Sequence, residues 1–155
     1  MKSFKSYPLL FFTAFVLSVV MTKVTPVLGD EKGKKYQRAV KFFNEGNNFS
    51  AKNNYQQAIV SYRKSIQINS LLPAPHYNLG NVLLAIGEYE EAVKEYQVAI
   101  KISPMVADYH RNLGFAYALL KKGELAKKKY QELKALDPDK AKVLMEWIKK
   151  GRKYE

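Results

Sequence analysis

Apolar positions along this chain fall into helical stripes. Between Pro75 and Gly87, the residues His76, Leu79, Gly80, Leu83 and Ile86 recur three or four apart, the spacing of one face of an α-helix. Pro75 suits a first helical turn, where a missing N–H costs nothing, and Gly87 can adopt the positive φ that ends such a helix. From Tyr89 to Ile102 a second face follows, made by Tyr89, Ala92, Val93, Tyr96, Ala99, Ile100 and Ile102 and stopped by Ser103-Pro104. The pattern predicts two helices joined by a tight turn. Small Gly80 and Ala92 let them approach, with Tyr96 filling the space alongside.

This unit recurs. Gly46, Gly80 and Gly114 stand 34 residues apart, as do Ala58, Ala92 and Ala126, and Tyr62, Tyr96 and Tyr130. Pro104 and Pro138 keep the interval, with Ser70 in the remaining place. A fixed period of this length marks an α-solenoid. Burying one large apolar side chain contributes about 1.5–3 kcal/mol. A single hairpin holds too few of them to offset the ordering of its own chain, so units must stack. The predicted units are 39–72, 73–106 and 107–140. In the third, Asn112 to Tyr117 belongs to the first helix, and Leu125, Ala126, Tyr130, Leu133 and Leu136 line the second, which Asp137-Pro138 terminates. The first unit uses Phe42, Gly46 and Phe49, then Tyr55, Ala58, Ile59, Tyr62, Ile66 and Ile68. Its Glu45 stands where the other copies have Leu79 and Leu113, a polar exchange expected of an end unit. Residues 141–155 read as a capping helix and basic tail, with Val143, Leu144, Trp147 and Ile148 covering the last unit. A helix lying on a membrane surface competes with that reading, given Trp147 beside Lys149, Lys150, Arg152 and Lys153.

The amino terminus follows a different pattern. Lys2 and Lys5 precede an apolar run from Leu9 to Met21, and Val27-Leu28-Gly29 offers a small-residue cleavage site before Asp30. Residues 1–29 are therefore expected to be a signal peptide, or a retained membrane anchor near residues 6–22. Either places the chain as exported (periplasmic or secreted) or membrane-anchored. Residues 30–38 are expected to be a basic linker.

Composition narrows the picture further. The chain has 155 residues, enough for one domain, and no cysteine, which removes disulfides, thiolate nucleophiles and thiolate metal sites. The net charge of +12 is carried at the ends: residues 42–120 hold six basic and six acidic side chains, whereas Lys121 to Glu155 holds twelve basic and six acidic. Such an end could favour an anionic polymer or lipid surface, or it could be a solvated helix face. Nucleic acid is not the expected partner.

The Asn-Leu-Gly run with an aromatic just beyond it, the Ala and Tyr of the second helix and the closing Pro resemble the tetratricopeptide repeat family. The resemblance implies an all-α, right-handed solenoid of three helix-turn-helix units, whose first helices line a groove for a peptide or helix of another protein. Groove positions on this sequence are Phe43, Asn47, Ser50, Tyr77, Asn81, Leu84, Asp108, Arg111, Phe115 and Leu119. Aromatics interspersed with Asn and Arg have the composition expected of interaction hot spots. A subset of the family grips the terminal carboxylate of chaperones; Asn47 and Asn78 match its asparagines, but Phe43, Asp108 and Asn112 stand where it has cations. Chaperone-tail binding is therefore not expected. Further departures are His76 and His110, Ser65 in place of small Ala99, and Gly123 lying two residues later in frame than Gly87. The resemblance implies a non-enzymatic adaptor or scaffold in envelope or membrane-complex assembly; small membrane proteins of the family that help assemble photosystem I share the layout. Family members sometimes stack end to end, so a homo-oligomer is allowed.

No catalytic, cofactor-binding or metal site is read from the chain. His76 and His110 occupy equivalent repeat positions and are expected to share a packing role. Glycine-rich phosphate loops, Gly-x-Ser-x-Gly and His-Glu-x-x-His are missing. Asn48-Phe49-Ser50 matches a glycosylation sequon but is expected to lie inside a helix.

Overall fold

The computed structural model describes the backbone of residues 9–151 and the side chains of residues 30–150. Among the described residues there are seven helices and no strand: α1 (Leu9–Ala51), α2 (Tyr55–Ile68), α3 (Pro73–Ala85), α4 (Tyr89–Ile102), α5 (Ala107–Leu119), α6 (Gly123–Leu136) and α7 (Pro138–Gly151). Met1–Gln37 and Arg38–Glu155 are separate compact units, the division falling inside α1. In the first unit, Asp30 to Gln37 are helical and exposed, and Lys34 pairs with Asp30. The segment expected as a linker is thus helical. The signal peptide or anchor expected over residues 1–29 lies outside the described side chains. No helix among the described residues is long and apolar enough to cross a membrane.

The second unit is an α-solenoid of stacked hairpins, and its register is the sequence period. Tyr55, Tyr89 and Gly123 open α2, α4 and α6 at intervals of 34, and Pro73 and Ala107 open α3 and α5 at the same interval. Each hairpin turn is built alike. Asn53, Gly87 and Lys121 have φ of 58°, 88° and 56°. The following N–H groups of Asn54, Glu88 and Lys122 each donate back to Phe49, Leu83 and Tyr117 carbonyls at 2.9 Å. This six-to-one bond around a left-handed residue satisfies carbonyls that the helix end would leave bare. The third turn therefore does not depart as expected from Gly123. Lys121 takes the left-handed position, and Gly123 opens α6.

Packing follows the repeat. Ala58, Ala92 and Ala126 are fully buried, and Tyr62 and Tyr96 are sealed within the same core. A Cβ at Gly46 or Gly80 would come within 2.5 or 2.7 Å of those tyrosine rings, so only glycine admits this approach. Ser65, where Ala99 stands in the next copy, is buried and donates its hydroxyl to the Ala39 carbonyl at 2.8 Å. A buried hydroxyl thus has its partner.

Beyond the third unit the register breaks. Four residues separate α2 from α3 and α4 from α5, but only Asp137 separates α6 from α7. Asp137 accepts the Lys140 N–H at 3.0 Å, and Pro138 occupies the first helical position, a matched helix start. That backbone bond, with the Lys140 ammonium, holds the Asp137 carboxyl below its ordinary range. The capping helix consequently begins at Pro138 rather than 141. Ala141, Leu144 and Ile148 are its buried face. Leu144 sits over Gly114, where a Cβ would come within 2.5 Å of its side chain. It occupies the place that Tyr62 and Tyr96 hold in the earlier units, and Tyr130 is left half-buried. Two expectations fail here: Val143 is 54% exposed because it lies on the far side of α7, and Leu125 is 42% exposed on the outer side of α6.

Candidate partner-binding groove

The last turns of α1, with α3 and α5, carry the predicted groove residues, and asparagines tie these helices together. Asn47 accepts at Oδ1 from the Tyr62 hydroxyl and from Asn78 Nδ2, each at 2.8 Å. One repeat later, Asn81 accepts from the Tyr96 hydroxyl and from Asn112 Nδ2, again at 2.8 Å. Asn112 Nδ2 also donates to the Tyr77 hydroxyl at 3.1 Å. Asn47 and Asn81 therefore each join their own second helix to the first helix of the next unit. Burial pushes the Tyr62 and Tyr96 phenols above their ordinary value, so both remain donors.

Asn47, Ser50 and Asn81 come together around a depression of about 300 Å³, whose other walls are Ala51, Tyr62 and Asn78. Phe43 packs on Tyr62 with centroids 6.1 Å apart, and Tyr77 lies between Tyr96 at 5.9 Å and Tyr109 at 4.7 Å. These aromatic groove residues are thus half-committed to the scaffold. Leu84 likewise packs against the core, and Leu119 is half-buried away from this depression.

The far end of the row is partly closed. Phe115 meets Trp147 of α7 edge-on at 5.5 Å. Asp108 pairs with Arg111 at 3.1 Å and with Lys140 at 3.3 Å, so the Arg111 guanidinium already has a carboxylate. Nothing in the residue pattern signals that Trp147 and Lys140 reach this row, because both positions depend on the out-of-phase α7 junction. Asn112 stands out in sequence only as a missing cation; its 34-residue spacing from Asn78 is the available signal of the ladder.

His76 and His110 are both buried and play matching parts, as their equivalent positions suggest. Nε2 of each donates to a carbonyl six residues back, Ser70 at 3.2 Å and Pro104 at 2.7 Å. Nδ1 of His76 meets Glu95 at 2.6 Å, while Nδ1 of His110 faces Glu132 across 3.3 Å without an aligned hydrogen bond. Position 129, the equivalent of Glu95, is Lys129, which bonds Glu132 at 2.6 Å. Burial pushes the Glu132 carboxyl up, but Lys129 and His110 outweigh it and hold it below its ordinary value. No three His, Cys, Asp or Glu side chains gather into a metal site among the described residues.

The family model described as TPR repeat, the tetratricopeptide repeat, matches residues 46–87 and again 80–121, in step with the hairpins above. This chain is a tetratricopeptide repeat protein. Its fold is similar to the second TPR domain of human RPAP3 in complex with the HSP70 peptide SGPTIEEVD, at 26% identity and a TM-score of 0.71, over 74% of this chain and 98% of that one. It is also similar to the second TPR of Spaghetti (RPAP3) bound to the HSP90 peptide SRMEEVD, at 26% identity and a TM-score of 0.66, over 69% and 99% of the two chains. The Arabidopsis OM64 TPR domain shares the fold alone, at 18% identity and a TM-score of 0.70, over 75% and 98%. No curated protein matches the sequence.

Proposed function

We propose that this tetratricopeptide repeat protein is a non-enzymatic adaptor that holds a peptide or helix of a partner protein in the groove of α1, α3 and α5. Exported or anchored through residues near 6–22, it would serve envelope or membrane-complex assembly. The observation that carries the reading is the polar depression between Asn47, Ser50, Asn78 and Asn81 in a fold whose relatives are seen with peptides bound. The Asn47 and Asn81 carbonyl oxygens are used by the scaffold, so their NH₂ groups are the donors turned to a ligand, suited to peptide carbonyls. The occupant differs from the acidic tails of those relatives. Phe43, Asp108 and Asn112 put no cation in the cradle, and Arg111 is engaged by Asp108. A neutral segment fits this floor, with micromolar affinity of roughly −8 kcal/mol for so short a groove.

Partner capture by in-cell crosslinking and mass spectrometry tests the reading. Ser50→Arg should fill the depression and abolish capture, while thermal unfolding stays near wild type. Undiminished capture by Ser50→Arg, or micromolar binding of a chaperone-type acidic tail peptide, would refute it.

A further inference from the structure

We propose that the exposed, lysine-rich face of α7, with the unpaired lysines of α6, is a docking surface for an anionic lipid bilayer. Most acidic groups here are already matched to a lysine. Along these two helices, Glu124 pairs with Lys127, Glu132 with Lys129, Asp137 with Lys140 and Asp139 with Lys142, each three residues apart. Only Glu146 is left over among the described acids of this region. Lys122, Lys128, Lys134, Lys149 and Lys150 are all exposed and have no acidic partner among the described residues. The local excess of positive charge is therefore not neutralised among the described residues, and it is concentrated on the last two described helices.

The apolar content of the same surface selects the occupant. With Ala141, Leu144 and Ile148 turned to the core, the exposed arc of α7 carries Lys142, Lys149 and Lys150 against the single acid Glu146, and beside them Val143 and Trp147 one turn apart. Val143 is 54% and Trp147 39% exposed, and Trp147 is held in place by its edge contact with Phe115. An indole and an aliphatic side chain flanked by lysines are the composition of the bilayer interface, where rings sit at headgroup level and ammonium groups meet anionic lipid. Lysine stems can lie along that apolar strip while their heads reach the headgroups. A nucleic acid duplex would take the lysines but give Val143 nothing to pack against. Bilayer docking leaves the asparagine groove untouched, so it stands whether or not a peptide binds there.

Trp147 is the chain's single tryptophan and reports directly. The full chain would be mixed with phosphatidylcholine vesicles with and without phosphatidylserine, reading Trp147 emission and co-sedimentation. The phosphatidylcholine arm measures any contribution of the apolar amino terminus. Phosphatidylserine should add binding and a blue shift, both weakening as salt rises. The combined Lys134→Gln, Lys149→Gln and Lys150→Gln variant should lose about five-fold per lysine, roughly a hundred-fold in all. The matching Lys→Arg variant should retain binding, and Arg63→Ala, on α2, should leave it unchanged. Trp147 emission indifferent to phosphatidylserine, or a Gln variant that binds like wild type, would overturn the proposal. So would a larger Trp147 response to a DNA duplex than to phosphatidylserine vesicles at equal ionic strength.

Discussion

Lys121 and Gly87 hold the same place in successive hairpin turns, and exchanging their chemistry isolates the energetics of that turn. A non-glycine residue in the left-handed region costs about 1–2 kcal/mol from Cβ crowding its own carbonyl. Glycine loses about 0.4–1 kcal/mol of that advantage through the greater freedom of its unfolded chain. At Gly87, with φ of 88°, nothing lies within 4 Å of the place a methyl group would take, so Gly87→Ala changes backbone energy and little else. The net expectation is a loss of about 1 kcal/mol. Lys121→Gly, at φ of 56°, relieves the same strain and should gain somewhat less than about 1 kcal/mol, because the lysine side chain has contacts of its own to lose. Urea unfolding followed by circular dichroism reads both, and the denaturant slope should not change because neither variant alters the buried surface. The corresponding shifts in melting temperature are about 3–5 °C, downward for Gly87→Ala and upward for Lys121→Gly. Shifts of both variants in the same direction would show that the turn energies are set by something other than backbone handedness.

Other positions give equally direct checks. Gly114→Ala should destabilise by about 1–3 kcal/mol through collision with Leu144, and shortening that side chain with Leu144→Val in the same chain should recover part of the loss in a double-mutant cycle. Tyr96→Phe should cost about 1 kcal/mol, since Asn81 loses one of two donors inside the fold; calorimetry reads it. Because the Glu132 carboxyl is held low in the folded state, its contribution is complete above about pH 4.5 and is lost as pH falls through the folded value. Glu132→Gln should therefore flatten the acid side of the stability profile measured by urea unfolding, and only slightly, since the side chain is 34% exposed.

Much of the fold is legible because a 34-residue period constrains every copy at once. Ala92 and Tyr96 announce the close pairing of two helices, and the register of one pair sets that of the others. The third turn is misread because sequence punctuation looks for glycine, whereas the six-to-one hydrogen bond forms around Lys121 whatever its side chain. Leu125 and Val143 read as core because an apolar residue near a stripe cannot reveal a face without knowing the helix's rotation. The groove is legible as a row of positions but not as a bonded lattice. Asn47 and Asn81 look like ligand contacts in sequence, yet their carbonyl oxygens serve Tyr62, Tyr96 and the next helix. Trp147 against Phe115 depends on where α7 starts, and Asp137-Pro138 reads as a stop without showing that it is also a start.

The single-residue junction at Asp137 has a consequence for engineering longer arrays. Three residues that would fall in the connector of an earlier unit, Pro138 to Lys140, are here taken into α7 and lengthen its start by about 4.5 Å. A consensus hairpin grafted behind α7 would thus meet a helix whose Leu144 already fills the space over Gly114. Unwinding Pro138 to Lys140 into a four-residue connector would lift Leu144 off Gly114 and free that space for the graft. Extension and termination are alternative settings of one short connector.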